Sequence, residues 1–200
     1  MLKNKITQHT LLHSILILFT AQASTGYATE TTIKPSQAIS AVTTDWDEDA
    51  GFDRAILVDA GHEDGADLYI YLSGAADSDD ENMELHLFKP GLAWSGTMWG
   101  QQPRLSLNDR GSLMIHTENT GVGRSAWNQK LTIAWRNNQF VVAGYTYDSY
   151  DRLDPDNVLN CDLNLLTGKG IKNGKAVTSP VTKVPLKEWD QAAIEAVCFE

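Results

Sequence analysis

The stretch from 129 to 151, QKLTIAWRNNQFVVAGYTYDSYD, constrains the fold more than any other part of this chain. Leu131, Ile133 and Trp135 alternate with polar neighbours, and Phe140 and Val142 alternate on the return. Between them, Asn137-Asn138 is the turn chemistry of a tight hairpin, because asparagine tolerates the positive φ that such turns demand. A period of two with a short turn is incompatible with helix.

The same signature recurs along the chain. RAILVDA (54–60) is a buried strand, GHEDG a turn, and ADLYIYLS (66–73) a returning strand with Leu68, Ile70 and Leu72 opposite Tyr69 and Tyr71. MELHLFKPG (83–91) alternates with Leu85 and Leu87 on one side. RLSLND and GSLMIHTEN form a hairpin about 109–111, and CDLNLLTGKG (161–170) adds a strand that ends at a glycine stop. GLAWSGTMWGQQP (91–103) and GVGRSAWN (121–128) read as irregular, Gly-rich connections, and 74–82 as an exposed acidic loop. Trp189, Ala193 and Val197, spaced by four, predict one short C-terminal helix. About seven to nine short strands with frequent turn signals predict an all-β, antiparallel meander: a sandwich, an open barrel or a propeller-like stack.

The N-terminus carries Lys3 and Lys5, then the apolar run LLHSILILF, then small residues, the pattern of a secretory signal peptide. The run is shorter than the ~20 residues a membrane span needs. Cleavage after Ala23 or Ala28 fits, with 1–28 preferred as the leader, 29–44 as a lead-in and 45–200 as one β domain. Export to a periplasm, or secretion, follows, with no membrane insertion of the mature chain. Loss of the two leader lysines takes the formal charge from −10 to −12. That charge disfavours nucleic acid and anionic lipid, and suits cations or a basic protein. Cys161 and Cys198 are the only cysteines, and in an oxidising compartment they predict one disulfide.

Chemistry concentrates in DWDEDAGFD (45–53). Calcium takes about six to eight oxygens, so alternating carboxylates on a tight loop suit it. The EF-hand pattern fails, because Ile56 stands where its glutamate belongs. The stretch resembles the calcium loop of FG-GAP or VCBS repeat proteins, and the likeness continues into RAILVD. It implies calcium ligation by Asp45, Asp47, Asp49 and Asp53. Ala50 departs from that pattern, occupying the glycine position, with Gly51 one residue late. The other reading of the loop is a solvated acidic turn that caps a strand.

The remaining histidines, His62, His86 and His116, have no zinc spacing, and no serine-nucleophile, phosphate-loop or dinucleotide motif is present. Aromatics stand out instead. Trp94, Trp99 and Trp127 lie in Gly-rich segments, and Tyr145, Tyr147 and Tyr150 accompany Asp148 and Asp151. Aromatic residues with acidic neighbours make up protein or glycan contact patches, or else cover a half-exposed sheet face. The segment from WRNNQFVVAGYTYDSYD to CDLNLLTGKG also resembles one recurring in exported bacterial β proteins: a hairpin, a linker, then a strand reading NLLTGK. In it, Asn164 is expected to point inward. Some similar periplasmic proteins are immunity-type inhibitors of peptidoglycan-cleaving toxins. That resemblance implies a non-enzymatic binder of a protein partner, such as a basic cell-wall hydrolase. The alternatives are an FG-GAP-like structural or adhesive module stabilised by calcium, and an enzyme acting on glycan or peptide for which the sequence defines no site. Trp94, Trp99, Tyr147, Tyr150 and Asp151 are the candidate contacts.

Overall fold

A computed structural model describes residues 33–61, 65–74, 83–96, 98 and 101–200. The expected leader (1–28), the first residues of the lead-in, His62, most of the acidic loop at 74–82, and Trp99 lie outside the described residues.

Two antiparallel sheets follow one another in chain order. The first runs β1 (Ala38–Thr44), β2 (Asp53–Asp59), β3 (Ala66–Ser73) and β4 (Met83–Ala93), each beside its predecessor. The second comprises β5 (Arg104–Leu107), β6 (Leu113–Asn119), β7 (Ser125–Arg136), β8 (Gln139–Asp151), β9 (Asp154–Asn164), β10 (Lys169–Lys172) and β11 (Lys175–Thr178). The predicted antiparallel meander is therefore present, and neither sheet closes into a barrel. Strand β1 falls in the expected lead-in and pairs along its length with β2, so the folded β unit begins ahead of residue 45.

Inward rows of both sheets meet in a single core. Leu57, Leu68 and Ile70 of the first sheet join Leu113, Ile133, Phe140 and Val142 of the second. Near the sheet junction, the Leu105 amide donates to Ser40 Oγ at 3.0 Å. Asn137 and Asn138 adopt φ of 52° and 58°, so the β7–β8 hairpin turns as its sequence predicts.

Several local expectations are corrected. Ile70 pairs with Leu87 but Tyr71 with Leu85, which makes His86 a bulge residue. The bulge breaks the alternation, so Leu85 is 47% exposed while Leu87 packs against the core. Segment 121–128 is not all connection, since β7 already begins at Ser125 and carries Trp127. The linker expected after the tyrosine-rich strand is strand too: β8 passes to β9 through a tight turn at Arg152-Leu153. Asn164 is exposed, and its side-chain oxygen accepts from the Leu166 and Thr167 amides to shape the turn into β10.

Helix α1 (Ala192–Cys198) is the expected C-terminal helix, but it buries Ile194 and Cys198 rather than Ala193. Trp189 precedes it, after the 3-10 turn Leu186–Glu188, and packs near Tyr145. Cys198 bonds to Cys161 on β9, with Cα atoms 5.6 Å apart, as the cysteine count predicts. No helix among the described residues is long and apolar enough to cross a membrane. The bond closes a 37-residue separation. Replacing both cysteines with serine is expected to cost about 2–4 kcal/mol of stability, read as a lowered midpoint in denaturant.

Candidate functional site

Two regions carry the candidate functional side chains: the acidic loop between β1 and β2, and an aromatic row along the second sheet.

The loop is pinned to the fold through Trp46, its second residue. The indole is buried, meets Phe140 edge-to-face at 5.3 Å, and donates through Nε1 to the Gly111 carbonyl at 3.0 Å. Nothing in the sequence pattern singled out Trp46. Its value as an anchor depends on the 65-residue separation from Gly111, which only the tertiary structure brings together. The fold also buries Asp53 completely. One of its carboxylate oxygens accepts from the Trp46 amide at 2.8 Å and the other from the Ser73 amide at 3.1 Å.

Asp45, Asp47 and Asp49 converge, with one carboxylate oxygen from each lying within 4.8 Å of the other two. Asp45 accepts from the Ala50 amide at 3.0 Å and Asp49 from the Gly51 amide at 2.7 Å, which curls the loop around the cluster. Burial pushes the Asp47 carboxyl above its ordinary range, and the charges of Asp53, Asp49 and Asp45 push in the same direction. Three oxygens here are buried without a hydrogen-bond partner: Asp45 Oδ1, Asp47 Oδ1 and Ser73 Oγ. Buried, unpaired oxygens on converging carboxylates are the donor set of a hard cation, and the residues present fit calcium. Of the four expected ligands, three come together, while the fourth, Asp53, has both oxygens engaged by backbone.

The misplaced glycine has a structural explanation. Ala50 has φ of 68°, so the sixth position does require the left-handed backbone. Gly51 serves close approach instead: a Cβ there would lie 2.3 Å from Ser73 Oγ and 2.4 Å from the Gly74 carbonyl oxygen.

The aromatic row arises because β7, β8 and β9 are long. On their inward face, Leu131 opposite Tyr145 belongs to the core, and the next pairs outward are Gln129 with Tyr147 and Trp127 with Ser149. Trp94 reaches Trp127 with ring centroids 5.1 Å apart; Trp127 lies nearly parallel to Tyr147 at 6.2 Å; Phe199 meets Tyr147 edge-on at 4.8 Å. Trp94 and Phe199 are exposed, while Trp127 and Tyr147 are half-buried. Gly96 permits the packing of Trp94, since a Cβ there would fall 2.6 Å from that ring and from Gln101. A groove of about 770 Å³ beside Trp94 is lined by Asp59, Gln101, Gln102 and Asn119. Within it, Gln101 donates to Asn119 at 3.0 Å. Deeper, Tyr145 donates to Gln129 at 3.1 Å, and Thr117 Oγ1 is buried without a partner.

Of the expected contact residues, Trp99 lies outside the described residues; of the other four, Trp94 and Tyr147 join this row. Tyr150 is exposed but falls on the opposite face of β8 by alternation. Asp151 is withdrawn from contact: it is buried and held by Arg124 at 2.6 Å, and it accepts from the Leu153 amide at 2.9 Å. The Arg124 hydrogen bond holds its carboxyl below the usual range. Trp127 and Phe199 complete the row. Alternation back from Leu131 would have found Trp127, but no local signal places Phe199.

The two described histidines, His86 and His116, show ordinary structural partners. His86 packs against Trp135 and Phe140, and His116 Nε2 lies 3.0 Å from Ser106 Oγ across the β5–β6 pair. Burial, and then the charges of Arg104 and Lys130, lower the His116 pKa. Among the described residues no carboxylate hydrogen-bonds its other ring nitrogen.

Compared with known proteins, the chain matches no protein-family model, no curated protein and no solved structure.

The left-handed Ala50 gives a direct test. Ala50→Gly relieves the steric cost of that conformation and is expected to stabilise the fold by about 1 kcal/mol, measured by denaturant melts with EDTA present.

Proposed function

We propose that this chain is an exported, non-enzymatic binding protein that presents the aromatic row of its second sheet to a cationic protein partner. The carrying observation is the contiguity of Trp94, just past β4, with Trp127 and Tyr147 on strands and Phe199 on a disulfide-held tail. Large, stiff aromatic side chains give contact area at low entropic cost, and they dominate interface energetics when clustered. The acidic chain draws a basic partner and speeds encounter. Cationic side chains gain further over aromatic faces. A basic cell-wall hydrolase meets these requirements, with the row occluding or gripping the rim of its cleft. The basic, apolar leader and the disulfide support export to a compartment where such enzymes act.

The acidic loop serves this function as a staple, in our reading. Calcium held by Asp45, Asp47 and Asp49 offsets their mutual repulsion and fixes the loop against the first sheet. A second reading, a calcium-stabilised structural or adhesive module like the FG-GAP repeats, is favoured by the same unpartnered carboxylate oxygens and needs no aromatic contact.

Purified mature chain titrated into a panel of basic cell-wall hydrolases distinguishes these readings. A stoichiometric complex that slows clearing of cell-wall suspensions is expected, weakening as salt rises. Trp94→Ala is expected to weaken that complex about tenfold or more while leaving the melting temperature near wild type. No complex with any such enzyme, alongside a melting temperature raised by calcium relative to EDTA, establishes the structural reading instead.

A further inference from the structure

We propose that Ser73, at the end of β3 and outside the acidic loop, is a ligand of the cation site and takes the position that Asp53 gives up. The inference rests on the calcium reading above and names a donor that the loop sequence does not contain.

Asp53 is the ninth residue of the loop and the expected fourth carboxylate ligand. Both of its oxygens instead accept backbone amides, from Trp46 at 2.8 Å and Ser73 at 3.1 Å, and the residue is wholly buried. Asp53 thus acts as an internal clamp joining the loop to the end of β3. That clamp fixes the Ser73 backbone next to the acidic cluster. The Ser73 hydroxyl oxygen is then buried with no partner, like Asp45 Oδ1 and Asp47 Oδ1. A buried oxygen left unpaired is costly, so unpaired oxygens on the loop and at the end of β3 point to a shared partner.

Gly51 locates the convergence. The position of a Cβ on that residue is 2.3 Å from Ser73 Oγ, 2.4 Å from the Gly74 carbonyl oxygen and 2.8 Å from Asp49 Oδ1. Oxygens from β3 and from the loop therefore crowd the same side of Gly51, in space that only glycine leaves free. Hydroxyl and carbonyl oxygens are hard donors suited to calcium, and being neutral they add no repulsion to three carboxylates. A site built this way spans two connections of the first sheet. Cation binding joins the β1–β2 loop to the far end of β3 as well as ordering the loop itself.

Terbium, a calcium-like hard cation whose emission is sensitised by nearby tryptophan, is the probe, with Trp46 as the built-in donor. Terbium titration followed by calcium competition gives the affinity, and melts in EDTA establish that each variant folds. Ser73→Ala is expected to lower calcium affinity about tenfold. Ser73→Asp, which returns a carboxylate to the position, is expected to bind more tightly than wild type. Gly51→Ala removes no oxygen but fills the shared space, and is expected to abolish binding. Wild-type affinity in Ser73→Ala, with binding lost in Asp47→Asn, overturns the role of Ser73 and leaves the calcium reading intact. Absence of terbium and calcium binding in the wild-type chain overturns both. Should Ser73→Ala fail to fold, Ser73→Asp decides: affinity below wild type overturns the assignment.

Discussion

A buried carboxylate is expensive unless hydrogen bonds or charge meet it, and Asp53 is the carboxylate around which the first sheet is organised. It is the first residue of β2, yet its two oxygens reach back to Trp46 and across to Ser73. Those two bonds determine where the acidic loop sits and where β3 ends. Trp46, once placed, inserts its ring against Phe140 and ties the loop to the β5–β6 turn through Gly111. One side chain thus couples the start of the first sheet to the core it shares with the second. The three remaining aspartates of the metal-loop pattern lie together in the same loop, and their mutual repulsion is a cost the geometry imposes.

The second sheet is organised by strand length. Strands β7, β8 and β9 outlast the apolar core, and the inward face changes character as it leaves it. Leu131 and Tyr145 are buried; Gln129 and Tyr147 mark the transition; Trp127 and Ser149 lie beyond. Tyr147 stands opposite Cys161 in the β8–β9 register, and Cys161 holds Cys198, the neighbour of Phe199. The disulfide therefore does more than close a loop: it holds the last aromatic of the row over Tyr147. A patch with a covalent tether at one end and a sheet beneath its centre is pre-organised, which reduces the entropy lost on binding.

Local chemistry was legible in the sequence and distant register was not. The Asn137-Asn138 turn could be read because its demand, positive φ at two successive residues, is met within the turn itself. The acidic loop was legible for the same reason, including the strained sixth position at Ala50. The bulge at His86 was not, because an extra residue in one strand is defined only against its partner, and it moved Leu85 off the face assigned by alternation. Asn164 misled in a related way: it lies between buried Leu163 and Leu165, but its side chain turns out to cap a tight bend. The helix face was legible in part: Trp189 is buried and Val197 packs against the core, while the residues of α1 that are fully buried are Ile194 and the disulfide-bonded Cys198. Asp151 looked like a contact residue among tyrosines until Arg124, distant in sequence, was found to neutralise it.

The two regions divide the work of the molecule, and their polar groups show how. At the acidic loop, oxygens are left over: Asp45, Asp47 and Ser73 each keep a buried atom unpaired, which is the condition for binding an ion. At the aromatic row the neighbouring amides are largely spent on one another, Gln101 on Asn119 and Gln129 on Tyr145. Burial pushes the Tyr145 hydroxyl further above its already high range, so it stays protonated and donates to Gln129. Thr117 Oγ1 nearby stays buried without a partner, but in the proposed function what this region offers a partner is shape and apolar area. In the proposed function, the acids that give the chain its charge act at longer range, drawing a cationic partner toward rings already in place.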